Sequence, residues 1–126
     1  MKLLLDTGAL LALERNERAM WQRLKLALQQ RESPVCHAGI VGQAWRGRGP
    51  RQALLARALD VLDIRRLDAV LGRAAGELLA RAGKDDVIDA ALVLLANDGD
   101  RIITSDPGGL APLARAADID IELVRP

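Results

Sequence analysis

Short apolar runs alternate with helix-forming segments along the whole chain, and this alternation limits the fold more than any other feature. The apolar runs Lys2–Leu5, Val35–His37, Val61–Arg65, Arg101–Thr104 and Ile119–Val124 read as five strands. Between them lie Thr7–Leu13 and Glu17–Gln29, the latter with Met20, Leu24, Ala27 and Leu28 at helical spacing. Gly39–Trp45 and Gln52–Leu59 follow, separated by the loop RGRGP. Asp68 is placed to cap a helix running to Arg81 and stopped by Gly83, and Asp85 or Asp86 to cap the next, to about Asn97. Asp106-Pro107-Gly108 turns the chain into a last helix ending near Ala117. Strands that alternate with helices predict an α/β three-layer sandwich with a central parallel sheet. Right-handed crossovers then favour the order 3-2-1-4-5 for five strands. No linker, repeat or low-complexity segment interrupts the pattern, so residues 1–126 are expected to form a single domain.

That topology decides where four acids go. Asp6 ends the first strand and Asp106 follows the fourth. These two strands are neighbours across the point where the strand order reverses, the usual place for a ligand in an open α/β sheet. The helix carrying Asp86 and Asp89 precedes the fourth strand and runs antiparallel to it, so its N-terminus arrives at the same edge. Asp89 is the hardest of the four to explain by structure alone, because the apolar run Ala90–Ala96 behind it marks a buried helix. Carboxylates crowded together repel unless a cation lies between them, and Mg²⁺ or Mn²⁺ takes such oxygen donors. Each acid also has a plainer reading. Asp6 can cap a helix, Asp106 can serve a turn, and Asp86 can be a cap or a support for the other acids.

Composition bounds the alternatives. Half of the residues are hydrophobic, yet Phe and Tyr are absent and Trp occurs twice, so the core is Leu, Ala, Val and Ile. A formal charge of +1 gives no general attraction to nucleic acid, although the cations are mostly Arg and grip phosphate bidentately where they cluster. The single cysteine, Cys36, excludes an internal disulfide and fits a reducing compartment. The start MKLLLDTGALLALER is broken too early by Asp6 for a signal peptide, and no long apolar run suggests a membrane span. A cytoplasmic protein is the expectation.

Four stretches resemble, in order, the motifs of PIN-domain proteins of the VapC toxin type. They are LLDTGALLAL, IVGQAWRG, DVIDAALVLLA and ITSDPGGLAPLA, and they extend over almost the whole chain. The resemblance implies a metal-dependent endoribonuclease, usually a homodimer, neutralised by a small antitoxin protein. Carried over residue by residue, it makes Asp6, Asp89 and Asp106 the catalytic acids and metal ligands, with Thr7 and Ser105 at the flanking hydroxyl positions. It departs at Gln43, where the family has Glu. A neutral amide still offers an oxygen but holds a hard cation less well.

Hydrolysis of an RNA phosphodiester fits such a site, because a held Mg²⁺ lowers the pKa of water and relieves charge at phosphate. Arg46, Arg48 and Arg51 are candidate phosphate-binding residues, expected near the acidic edge; a solvated basic loop is the plainer reading. Trp45 and Cys36 read as core, Trp21 as core or a dimer contact, and His37 as structural more than catalytic. Two other phosphate chemistries fit poorly. A dehalogenase-like phosphotransferase wants a second Asp where Gly8 stands, and a receiver domain wants an Asp at the end of strand three, which here reads Ile64-Arg65-Arg66. The standing alternative is a PIN-fold module that binds protein or RNA without cleaving, and Gln43 is its support.

Overall fold

Every strand of the sheet is only three residues long, and the helices carry most of the chain. A computed structural model describes all residues 1–126. In chain order the elements are β1 (Leu3–Leu5), α1 (Thr7–Glu14), α2 (Arg18–Gln29), β2 (Val35–His37), α3 (Ala38–Ala44) and α4 (Gln52–Leu59). Then come β3 (Asp63–Arg65), α5 (Ala69–Ala82), α6 (Val87–Leu94), β4 (Arg101–Ile103), α7 (Pro107–Ala116) and β5 (Glu122–Val124). The five strands are all parallel in the order β3-β2-β1-β4-β5, as the alternation predicts. Right-handed crossovers put α1–α4 over one face and α5–α7 over the other. Accordingly α1 packs against α2, α3 and α4, while α5, α6 and α7 pack on one another.

The central strands are apolar because both of their faces are covered. Leu4, Leu5, Ile102 and Ile103 are fully buried, and Leu10, Leu13, Ile40, Leu55, Leu78 and Leu92 close over them. Cys36 lies in the same core, where burial first and the charge of Asp63 second push its thiol up to about 12. Trp21 is half-buried and donates its indole N–H to Leu13 O at 3.0 Å.

Four boundaries differ from expectation for local reasons. The outer strands begin later than the apolar runs do. Val61 and Leu62 N–H groups bond back to Ala58 and Leu59 and finish α4, and Ile119 N–H bonds to Ala114 and finishes α7. Helix α6 stops at Leu94 because Leu95 and Ala96 bond three residues back, tightening the last turn. Helix α3 starts at Ala38 because the His37 imidazole caps it.

At the amino edge, β1 and β4 are joined by a buried acid. Asp100 is 5% exposed. It accepts from Lys2 N at 2.9 Å, Lys2 Nζ at 2.6 Å and Asn97 N at 2.8 Å. Burial alone would raise its pKa, but the Lys2 contacts and the Asn97 amide overcome that and hold it below the usual value. No helix is long and apolar enough to cross a membrane.

Candidate active site

The carboxyl edge of the sheet is built by residues that leave strands. Asp6 follows β1; its N–H donates to Ile103 O at 3.2 Å, which keeps the start of α1 against the end of β4. Its Oδ1 caps α1, accepting from Ala9 N at 3.0 Å, and the residue is 8% exposed. Beyond β4, Thr104 is buried and its hydroxyl accepts from Asp106 N at 2.9 Å, fixing the turn. Asp106 Oδ1 caps α7 through Gly109 N at 3.1 Å. Asp86 Oδ1 caps α6, accepting from Ile88 N at 3.0 Å and Asp89 N at 3.1 Å. Three of the four acids are therefore helix caps, and each uses a single carboxylate oxygen for it.

Asp89, in the first turn of α6, caps nothing. Its pKa is raised from 3.8 to about 6, by burial first and then by the charges of Asp86, Asp6 and Asp106. Acids from three separate stretches of chain thus press on one carboxyl. None of the four takes part in an ion pair; those of the molecule use Glu32, Asp100, Glu17, Asp63 and Glu122.

Two glycines permit this crowding. A Cβ on Gly8 would overlap the Ser105 side chain and sit 3.2 Å from Asp6 Oδ1, and one on Gly109 would overlap the Asp106 carboxylate. Ser105 therefore lies against the first turn of α1 at Gly8, two residues after Asp6, and is itself followed by Asp106.

No protein-family profile matches the chain, and no curated protein matches it in sequence. Solved structures do match its fold. One is VapBC2 from Rickettsia felis bound to a DNA fragment from their promoter, with a TM-score of 0.67 and 15% identity over 98% of this chain and 98% of that one. Another is PAE2754 from Pyrobaculum aerophilum, with a TM-score of 0.61 and 18% identity over 97% of this chain and 83% of that one. The fold is PIN-like.

Within this PIN-like fold Gln43 reaches the site from α3. The Thr7 hydroxyl, at the first residue of α1, donates to Gln43 Oε1. Gln43 is exposed, and its amide oxygen is held at Thr7, the residue after Asp6.

A divalent cation fits these residues in charge and donor type. The available atoms are carboxylate oxygens without a cationic partner and a neutral amide oxygen, all hard donors that suit a hard cation. The softer donors are unavailable: Cys36 is buried with its thiol protonated, and both His37 nitrogens are hydrogen-bonded. No three His, Cys, Asp or Glu groups already converge within ligating reach of one point.

His37 is structural, and its lowered pKa comes from burial. Its Nδ1 accepts from Gly39 N at 3.1 Å, so the proton sits on Nε2, which lies 2.9 Å from Ile88 O. The ring thereby ties the end of β2 to the turn of α6 that carries Asp89. Trp45 is 40% exposed, where the sequence suggested core, because the backbone leaves α3 in an extended conformation at that residue.

The basic loop lies further from the acids than its place in sequence suggests. Gln52 is buried; its Oε1 accepts from Arg46 N at 3.0 Å and Gly47 N at 2.9 Å, and its Nε2 donates to Glu14 Oε2 at 2.7 Å. Glu14 is the last residue of α1, roughly 12 Å along the helix from its start. The Arg46 guanidinium folds back onto the carbonyls of Gly42 and Trp45. Arg48 and Arg51 are exposed and solvated. One arginine that sequence reasoning passed over stands beside the acids instead: Arg125 Nη1 donates to Ser105 O at 2.8 Å. Nothing in a lone Arg next to the last residue signals this, since only the β4–β5 pairing brings it there.

Proposed function

We propose that this chain is a metal-dependent endoribonuclease toxin of the VapC type. The observation that carries the reading is Asp89: a half-buried carboxyl pressed by three others, with no cation from the protein to offset them. Asp6, Asp89 and Asp106 would hold Mg²⁺ or Mn²⁺, using the oxygens left free by capping, with Asp86 supporting the turn that carries Asp89. When bound, the cation supplies a more acidic water and charge relief at the phosphate. Thr7 orients Gln43 at the rim, and Ser105 packs the β4–α7 turn against α1, so both flanking hydroxyls keep the acids in place. Arg48 and Arg51 are placed to meet RNA outside the reacting centre, while Arg46 stiffens their loop.

The partner in this reading is a small antitoxin. The likeness to the VapBC2 structure supports it, as does an apolar groove of about 500 Å³ between α2 and α4. Trp21, Leu24, Leu28 and Val61 line it and Arg18 and Arg57 rim it, which suits an apolar helix with acidic flanks. A homodimer in a cytoplasmic setting completes the proposal.

A second reading has one specific support. Gln43 stands where the resembled family has Glu, and its oxygen is already taken by Thr7. A PIN-like module that binds RNA or protein without cleaving it would look the same. Incubating purified protein with RNA in Mg²⁺, in EDTA and as Asp89→Asn separates the two. Cleavage confined to wild type with Mg²⁺ supports the nuclease; RNA left intact under all three conditions overturns it.

A further inference from the structure

We propose that Arg125 is a substrate-binding residue that holds an RNA phosphate beside the carboxylates. This rests on the nuclease reading. The four acids carry more negative charge than one divalent cation removes, so a phosphodiester approaching them meets residual repulsion. A nearby side-chain cation relieves it, and a guanidinium matches phosphate geometry best.

Position selects Arg125 among the arginines. Arg46 is folded onto its own helix end, and Arg65 is paired with Asp63 at 2.9 Å. Arg66 follows β3, which pairs with neither β1 nor β4, the two strands that Asp6 and Asp106 follow. Arg125 instead follows β5, which pairs with β4, and Thr104 N bonds Val124 O at 2.8 Å to align the two strand ends. Its guanidinium is held at the Ser105 carbonyl, on the turn that touches Gly8 and carries Asp106. It forms no ion pair, and that one bond to a neutral carbonyl leaves its other N–H donors without protein partners on an exposed side chain. The contact fixes the fork while keeping its charge for a ligand.

The test compares wild type, Arg125→Gln and Arg125→Lys on a short single-stranded RNA. Cleavage gives kcat and KM, and fluorescence anisotropy with Ca²⁺ in place of Mg²⁺ gives affinity against salt. Thermal melting of each variant checks the fold. Arg125→Gln is expected to raise KM about tenfold with little change in kcat, as loss of one charged phosphate contact does. The slope of log affinity against log salt should shrink by about 0.7, the share of one phosphate on a single strand. Arg125→Lys keeps the slope and loses part of the affinity. If wild type cleaves while Arg125→Gln keeps both KM and slope, the assignment is wrong and the nuclease reading stands. If wild type neither cleaves nor binds RNA, both are wrong.

Discussion

Two acids at opposite edges of the same sheet have opposite fates. Asp100, at the amino edge, is more buried than Asp89, yet its pKa is lowered. Asp89, at the carboxyl edge, is only half-buried, yet its pKa is raised to about 6. Burial disfavours charge on both, so the neighbours decide the outcome. Asp100 meets an ammonium and two backbone N–H groups, and Asp89 meets three more carboxylates. A folded chain easily satisfies a carboxylate, as Asp100 shows, whereas Asp89 is left among like charges at a cost to stability. The amino edge holds the sheet together; the carboxyl edge carries the crowded acids.

The largest effect is expected where satisfaction is complete. Asp100→Ala strands the Lys2 ammonium and two backbone N–H groups, and should destabilise the fold by about 3 kcal/mol in urea unfolding. A change below about 1 kcal/mol would mean that the Lys2–Asp100 pair is no staple.

Asp89→Asn should do the reverse. Near neutral pH it removes a charge that the fold disfavours, stabilising the metal-free protein by on the order of 1–2 kcal/mol once solvent screening of a half-exposed group is allowed for. The sign follows from linkage. The folded pKa is above the ordinary 3.8, so folding is penalised above about 6 and the penalty fades as pH falls toward 4. Asp100 has a lowered pKa, so its contribution is present above its ordinary value and is lost as pH falls below it. Unfolding free energy of metal-free wild type against pH should therefore rise on acidification through 6 and fall again below 4. The Asp89→Asn profile should lack the rise; a rise in both would place the titrating group elsewhere.

Gln43→Glu should give the smallest change in the folded state and a clear one in metal affinity. The Thr7 hydroxyl donates to a carboxylate as well as to an amide oxygen, so the contact survives. The added charge should tighten Mg²⁺ binding about tenfold, after the cost of dehydrating the carboxylate is subtracted from a larger Coulomb gain. Superimposable titration curves for the two proteins would put Gln43 outside the site.

The sheet order and the meeting of the acids were legible because both follow from alternation and handedness. Which end of a strand a residue occupies is set by its neighbours in sequence, so Asp6 and Asp106 could be placed without coordinates. What was not legible depends on long-range hydrogen bonds. The His37 ring reaches Ile88, Gln52 reaches Glu14 and draws the basic loop down α1, and Arg125 reaches Ser105. No local pattern encodes these, because each needs the packed fold to exist first. The caps made by Asp6 and Asp106 leave the proposed ligand role open to both, since a carboxylate has two oxygens and a cap takes one.

The central claim is that the carboxyl edge awaits a divalent cation. Titrating metal-free wild type and Asp89→Asn with Mn²⁺ or Mg²⁺ by calorimetry, near neutral pH, tests it most directly. Saturable binding in wild type that is lost or greatly weakened in Asp89→Asn is expected. No binding by well-folded wild type, or equal binding by both proteins, would contradict it.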